Sequence, residues 1–142
     1  MITLKAAIDL VKYAFSDMNG GEIYISKIPS MKIVDIASTI QSNNKIKIIG
    51  VRPGEKMHEV MISKEDSFYT YEYKKYYKIL SPITSTHKKK SYIKNGIKVQ
   101  KNFEYSSDTN TSWMTKKNLD KWLNDYVKSE DFNKIKFNLS SL

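Results

Sequence analysis

The run Ile49-Gly50-Val51-Arg52-Pro53-Gly54-Glu55-Lys56-Met57-His58-Glu59 places one guanidinium and two carboxylates around a turn. Arg52 is the sole arginine among 24 basic side chains. Its planar fork of donors suits two phosphate oxygens at once, a match that a lysine ammonium does not make. Pro53 fixes one φ angle and Gly54 frees another, so the arginine before them loses less freedom when it meets a ligand. Glu55 has the acceptors to bind a vicinal diol such as that of a ribose. Together the two side chains would read a nucleoside diphosphate. A plainer alternative stands beside this one: Arg52 and Glu55 pair with each other or cap a following helix.

Ser106, Asp108 and Asn110 form a second polar group, in Phe103-Glu104-Tyr105-Ser106-Ser107-Asp108-Thr109-Asn110. They have the side chains to contact a nucleotide, and equally to bond their own backbone as turn formers. His58 lacks a second well-placed histidine, His87 lying in a basic stretch, so it reads as a packing or surface residue rather than a metal ligand. The chain has no cysteine, which excludes disulfides, thiolate metal sites and thiol catalysis. Its glycines (Gly20, Gly21, Gly50, Gly54 and Gly96) do not have the spacing that lets backbone amides cradle a pyrophosphate after a strand. Cofactor-binding residues and a metal site are therefore not expected in this chain.

The elements that must position these groups alternate between helix and strand. Thr3 can cap a helix carrying Leu4, Ala7, Ile8, Val11 and Phe15, which Asn19-Gly20-Gly21 stops. Glu22-Ile23-Tyr24-Ile25 reads as a strand, and Pro29-Ser30 introduces a helix over Met31 to Gln41. Lys45 to Ile49 alternates and then turns apolar, as a strand entering a core would. Glu55 to Ile62 reads as a helix packing Met57, Val60 and Met61, and Tyr76 to Leu80 as another strand. Apolar periodicity fades from Ser81 to Lys101, where Lys88 to Lys90 suggest a flexible basic loop or hairpin. Thr115 can cap a last helix with Leu119, Trp122, Leu123 and Tyr126 on its core face.

The whole is a single α/β domain of 142 residues with enough apolar material, 40%, for a core. No apolar run approaches the ~20 residues of a membrane span, and Lys5 and Asp9 interrupt the beginning, so a cytoplasmic protein without a membrane partner is expected. The formal charge of +9 favours anionic partners, but it is carried almost wholly by lysine, which weakens a nucleic-acid reading. Aromatic residues interleaved with lysines over Tyr73 to Lys78 are the feature that keeps that reading in play.

Four blocks in order carry a family resemblance. They are Gly21 to Ile25, Lys27 to Asp35, Ile48 to Ile62, and Phe103 to Asn110 with Trp113-Met114. In these the chain resembles the UDP-N-acetylglucosamine 4,6-dehydratases of the extended short-chain dehydrogenase/reductase superfamily. The resemblance implies a small substrate-binding, carboxyl-terminal domain lacking most of the Rossmann sheet. It implies that Arg52 and Glu55 contact the diphosphate and ribose of a UDP-sugar. It also implies that NAD or NADP serves the complete enzyme, where the sugar is oxidised at C4, loses water across C5 and C6, and takes the hydride back at C6. Tyr71 and Lys75 match the spacing of the superfamily's catalytic pair, but they fall on the wrong side of the Arg52 motif and are rejected. Met1 to Leu4 resembles the middle of a family segment, so a Rossmann half, in the same or a separate gene product, is an expected partner. Surface left by that half leads to an expectation of marginal stability or self-association.

Overall fold

The computed structural model describes residues 1–40, 45–83 and 89–127. Their internal packing groups them into two compact units, Met1–Ser30 with Val51–Ser112, and Met31–Gly50 with the chain from Trp113.

In the first unit Thr3 accepts the Ala6 amide through its hydroxyl at 3.0 Å and opens helix α1, Leu4–Asp17. Asn19 and Gly20 end the helix by donating their amides to the Glu22 carboxylate at 2.9 and 2.7 Å. Strand β1, Ile23–Ser26, follows. Three more strands are β3, Thr70–Glu72, β4, Tyr76–Ile79, and β5, Ile97–Lys98. They form an antiparallel sheet in the order β1-β4-β3-β5. β4 is central and nearly continuously buried, as a strand covered on both faces must be. Ile25, Tyr77, Ile79 and Val99 build a core with Ile62 and Tyr105, and Tyr69 and Phe103 pack on its margin.

Ile62 and Tyr105 come from a separate two-stranded ribbon of β2, Val60–Ile62, and β6, Tyr105–Ser106. β2 corrects the helix expected over Glu55 to Ile62. Met57, Val60 and Met61 are exposed, so no core face exists there for a helix to bury, and cross-strand pairing with β6 satisfies the backbone instead. The stretch from Ser81 to Lys101, read as a loop or hairpin, contains the short helix α3, Lys89–Ile93, and β5. Thr84 to Lys88 lie outside the described residues.

The second unit holds helix α2, Ile33–Ile40, and helix α4, Lys116–Val127. Thr115 caps α4 by accepting the Asn118 amide at 3.2 Å, and Leu119 is wholly buried. Gln41, expected to end α2, lies outside the described residues. Lys45 to Ile49, expected as a strand entering a core, is not a strand: Ile46, Ile48 and Ile49 are exposed. Period-two alternation supplies a face, but a strand also needs a neighbour for its hydrogen bonds, and this segment has none among the described residues.

Candidate functional site

Arg52 to Glu55 closes as a tight turn. The Glu55 amide donates to the Arg52 carbonyl at 3.0 Å, and the Glu55 carboxylate takes the Arg52 amide at 2.9 Å. Gly54, at φ +86°, occupies the left-handed conformation the turn requires. Glu55 thus grips the backbone of Arg52, not its guanidinium. The Arg52 side chain is exposed and makes no ion pair among the described residues. The cation is therefore available to a ligand, on a turn held by Glu55, while part of Glu55's acceptor capacity is already engaged.

Ser106, Asp108 and Asn110 build a second turn. The Asn110 amide donates to the Ser106 carbonyl at 3.1 Å, and the buried Ser106 hydroxyl donates to Asp108 Oδ1. This hydroxyl and, to a smaller degree, the charge of His58 hold the Asp108 carboxyl below the usual carboxylate range. Asn110 donates through Nδ2 to the Ile28 carbonyl at 2.8 Å and the Ser30 hydroxyl at 3.1 Å, and its Oδ1 accepts the Ser112 amide. Ser106 and Asn110 are thus engaged in the fold, and the exposed Asp108 is the member with acceptor capacity left.

The chain that follows the Arg52 turn meets the Ser106 turn at Glu59 and β2. Val60 pairs with Ser106; the Ser107 amide donates to the Glu59 carbonyl at 2.9 Å, and the Ser107 hydroxyl accepts the Glu59 amide at 3.0 Å. Tyr105 extends the join, its hydroxyl bonding both the amide and the carbonyl of Ile28 at 2.8 and 2.9 Å. Three stretches far apart in sequence, around Ile28, Glu59 and Ser106, are consequently one connected construction. Sequence reasoning passed over Tyr105 and Ser107; the cue was their place beside Ser106 in a block rich in short polar side chains.

A larger polar cluster was missed altogether. Asp17, at the end of α1, accepts from Lys78 Nζ and Lys94 Nζ at 2.5 Å each and from the Tyr24 hydroxyl at 2.7 Å. Lys78 is fully buried on β4, donates also to the Tyr92 carbonyl at 2.9 Å, and sits over the rings of Tyr24 and Tyr73. Burial alone would raise the Asp17 pKa, but the three donors outweigh it and hold the carboxyl well below its usual range. Tyr13 and Tyr76 share a hydroxyl hydrogen bond at 2.8 Å, and Tyr73 stacks on Tyr76 at 4.6 Å. Every polar group in this cluster has a partner inside the protein, so it holds elements together and offers a ligand little. It also accounts for the aromatic-lysine run: Tyr73, Tyr76, Tyr77 and Lys78 pack inward or against one another rather than forming an open stacking platform.

Gly20, Gly21 and Gly96 do not stand in strand-to-helix turns. Gly20 and Gly21 lie between a helix and a strand, the reverse of the strand-to-helix order that points amides at a pyrophosphate, and a Cβ on Gly96 would meet the Tyr73 ring at 2.5 Å. Nor do the described residues contain a cluster of three or more metal-ligating side chains, or a helix long and apolar enough to cross a membrane.

An α/β fold with a free arginine on a fixed turn is a scaffold suited to anionic ligands, and comparison with known proteins places it more narrowly. Residues 1–81 match the polysaccharide biosynthesis protein family, and the chain belongs to that family. It is 46% identical over 123 residues to a UDP-N-acetylglucosamine 4,6-dehydratase (inverting) of Campylobacter jejuni serotype O:2, covering 83% of this chain and 37% of that protein. It is also 32% identical over 136 residues to a UDP-glucose 4-epimerase of Rickettsia akari, covering 92% of this chain and 40% of the epimerase. The chain therefore spans well under half the length of these relatives. The X-ray structure of Pen from Bacillus thuringiensis superposes with a TM-score of 0.69 at 27% identity, over 88% of this chain and 36% of that one.

Proposed function

We propose that this chain is the UDP-sugar-binding portion of a nucleotide-sugar 4,6-dehydratase. It acts on UDP-N-acetylglucosamine or a close relative, in the biosynthesis of surface polysaccharide or another glycan. The observation that carries the reading is the Arg52 turn: a guanidinium clear of internal ion pairs, on a backbone already fixed by Glu55 and Gly54. A preorganised, bidentate donor is what a diphosphate rewards. The similarity to the Campylobacter dehydratases supports the choice of UDP-sugar over other phosphates. Oxidation and water elimination require NAD or NADP and catalytic groups supplied by polypeptide outside this chain, which alone turns nothing over.

Binding is tested by calorimetric titration of the chain with UDP, in competition with single-stranded DNA at moderate salt. Wild type is expected to bind UDP, and Arg52→Ala to lose about tenfold or more in affinity, the loss of a charge-assisted bidentate contact. DNA binding with no UDP binding, unchanged by Arg52→Ala, would refute the reading.

A second reading, a non-catalytic subunit complementing a separately encoded Rossmann half, is favoured by α1. Leu4, Ile8, Val11 and Phe15 recur at helical spacing on its exposed side, with Leu4 and Phe15 72% and 75% exposed. Co-purification with a polypeptide bearing the glycine fingerprint, lost on Phe15→Asp, would support it.

A further inference from the structure

Resting on the diphosphate reading of the Arg52 turn, we propose that Ser107 is the positioning residue of that turn: by clasping Glu59 it limits how far the guanidinium wanders before a ligand arrives. The turn has little else to hold it in place. Every residue from Val51 to Met61 is exposed, so side-chain packing places this stretch only weakly. Between Val51 and His58, the hydrogen bonds formed among the described residues are the two by which Arg52 and Glu55 close the turn on itself. They fix its shape and leave its position open. The first bonds to another part of the chain come at Glu59, four residues after Glu55, and Ser107 makes both of them.

The clasp lies just beyond Val60–Ser106, where the β2–β6 ladder ends. The Ser107 amide donates to the Glu59 carbonyl at 2.9 Å, and the Ser107 hydroxyl accepts the Glu59 amide at 3.0 Å. In an ordinary hydrogen-bonded antiparallel pair a backbone carbonyl would be that second acceptor. Here a side chain takes its place, so the clasp depends on residue type: serine and threonine supply it, alanine does not. Without the hydroxyl, the exposed Glu59 amide turns to water and the fold loses little. The chain behind the turn gains slack instead, each released residue adding up to about 3.5 Å of reach. A bidentate contact tolerates much less, because both N–H groups of the arginine must meet their oxygens at once. Ordering that slack on binding is the cost that Ser107 removes in advance.

The test is calorimetric titration of the chain with UDP, beside a thermal melt of each variant. Ser107→Ala is expected to weaken binding about threefold, the scale of ordering one more flexible element, with the melting midpoint almost unmoved. Ser107→Thr keeps the hydroxyl and should bind as wild type does. In an Arg52→Ala background, Ser107→Ala should cost nothing further, because a residue that acts through the arginine has nothing left to position. Hydrogen exchange of the Glu59 amide, measured without ligand, should be faster in Ser107→Ala than in wild type. Full affinity in Ser107→Ala overturns the proposal alone. So does the same threefold loss in the Arg52→Ala background, which would mean that Ser107 touches the ligand itself. Absence of UDP binding by the wild type overturns the diphosphate reading and the proposal with it.

Discussion

The Asp17–Lys78 cluster and the Arg52 turn lie in the same unit and use the same chemistry to opposite ends. In the first, a buried carboxylate meets the buried Lys78 ammonium, the half-exposed Lys94 ammonium and a phenol, and its oxygens are matched by donors inside the protein. In the second, the carboxylate of Glu55 holds only the backbone of its arginine and leaves the guanidinium in solvent. A buried charge must be paired to be tolerated, so such a cluster carries little capacity for a ligand. An exposed charge on a rigid turn is nearly neutral for stability and retains its full capacity for recognition. Charge density alone therefore does not mark a site; unsatisfied charge on fixed backbone does.

The comparison breaks most readily at Lys78. Replacing it with Met keeps the bulk but removes a donor from Asp17 and from the Tyr92 carbonyl, and Asp17 stays buried with one ammonium fewer. A loss of about 3–5 kcal/mol is expected in urea unfolding, the cost of breaking a buried ion pair from one side. Arg52→Ala should leave the same midpoint within about 0.5 kcal/mol while abolishing most UDP binding. If Lys78→Met is neutral, or Arg52→Ala destabilises as much, the contrast between the two regions is wrong.

High pH sharpens it next. Burial pushes the Tyr73 and Tyr77 phenols up to about 12, and Tyr24 and Tyr76 are raised as well, by burial first and then by hydrogen bonds to Asp17 and Tyr13 respectively. A folded-state pKa raised above the unfolded value gives stability that is fully present below about pH 10 and is lost as pH rises through about 12. Tyrosinate absorbance should therefore emerge together with the loss of secondary structure in an alkaline titration, rather than ahead of it. Independent ionisation of these rings in a protein that stays folded would show the cluster to be open to water.

How much of this was legible follows from range. α1, β1, β4 and α4 were visible because caps and apolar periodicity are local, as Thr3 and Thr115 illustrate. Residues 55–62 were misjudged because Met57, Val60 and Met61 have helical spacing, while the strand over Val60–Ile62 is decided by partners more than forty residues away, the Glu59–Ser107 pair standing 48 apart. The Asp17–Lys78 pair, 61 residues apart, left no trace in either local pattern. The Arg52 turn was read from its own residues because a Pro-Gly turn specifies itself; the dual use of Glu55, holding the turn while leaving its arginine free, is a matter of side-chain direction that spacing does not encode. Ser106, Asp108 and Asn110 carried both a ligand reading and a turn reading; their local bonds are those of the turn, and Asn110 also ties that turn to Ile28 and Ser30.

The smallest expected effect isolates that self-specification. Gly54 lies at φ +86°, and a Cβ added to it would meet nothing within 4 Å, so Gly54→Ala costs conformational energy alone, with no clash to complicate it. About 1 kcal/mol is expected, the cost of holding an L-residue in the left-handed region. Because the turn is exposed and bears on no core residue, the chain can relax it locally, and global unfolding should barely register the change. Relaxation would release the Glu55 carboxylate from the Arg52 amide and let the guanidinium wander. Binding of UDP should consequently weaken about fivefold, the equivalent of that strain, with the thermal midpoint almost unmoved. Equal losses in both measurements would mean that the turn supports the fold, and that the freedom of Arg52 is incidental.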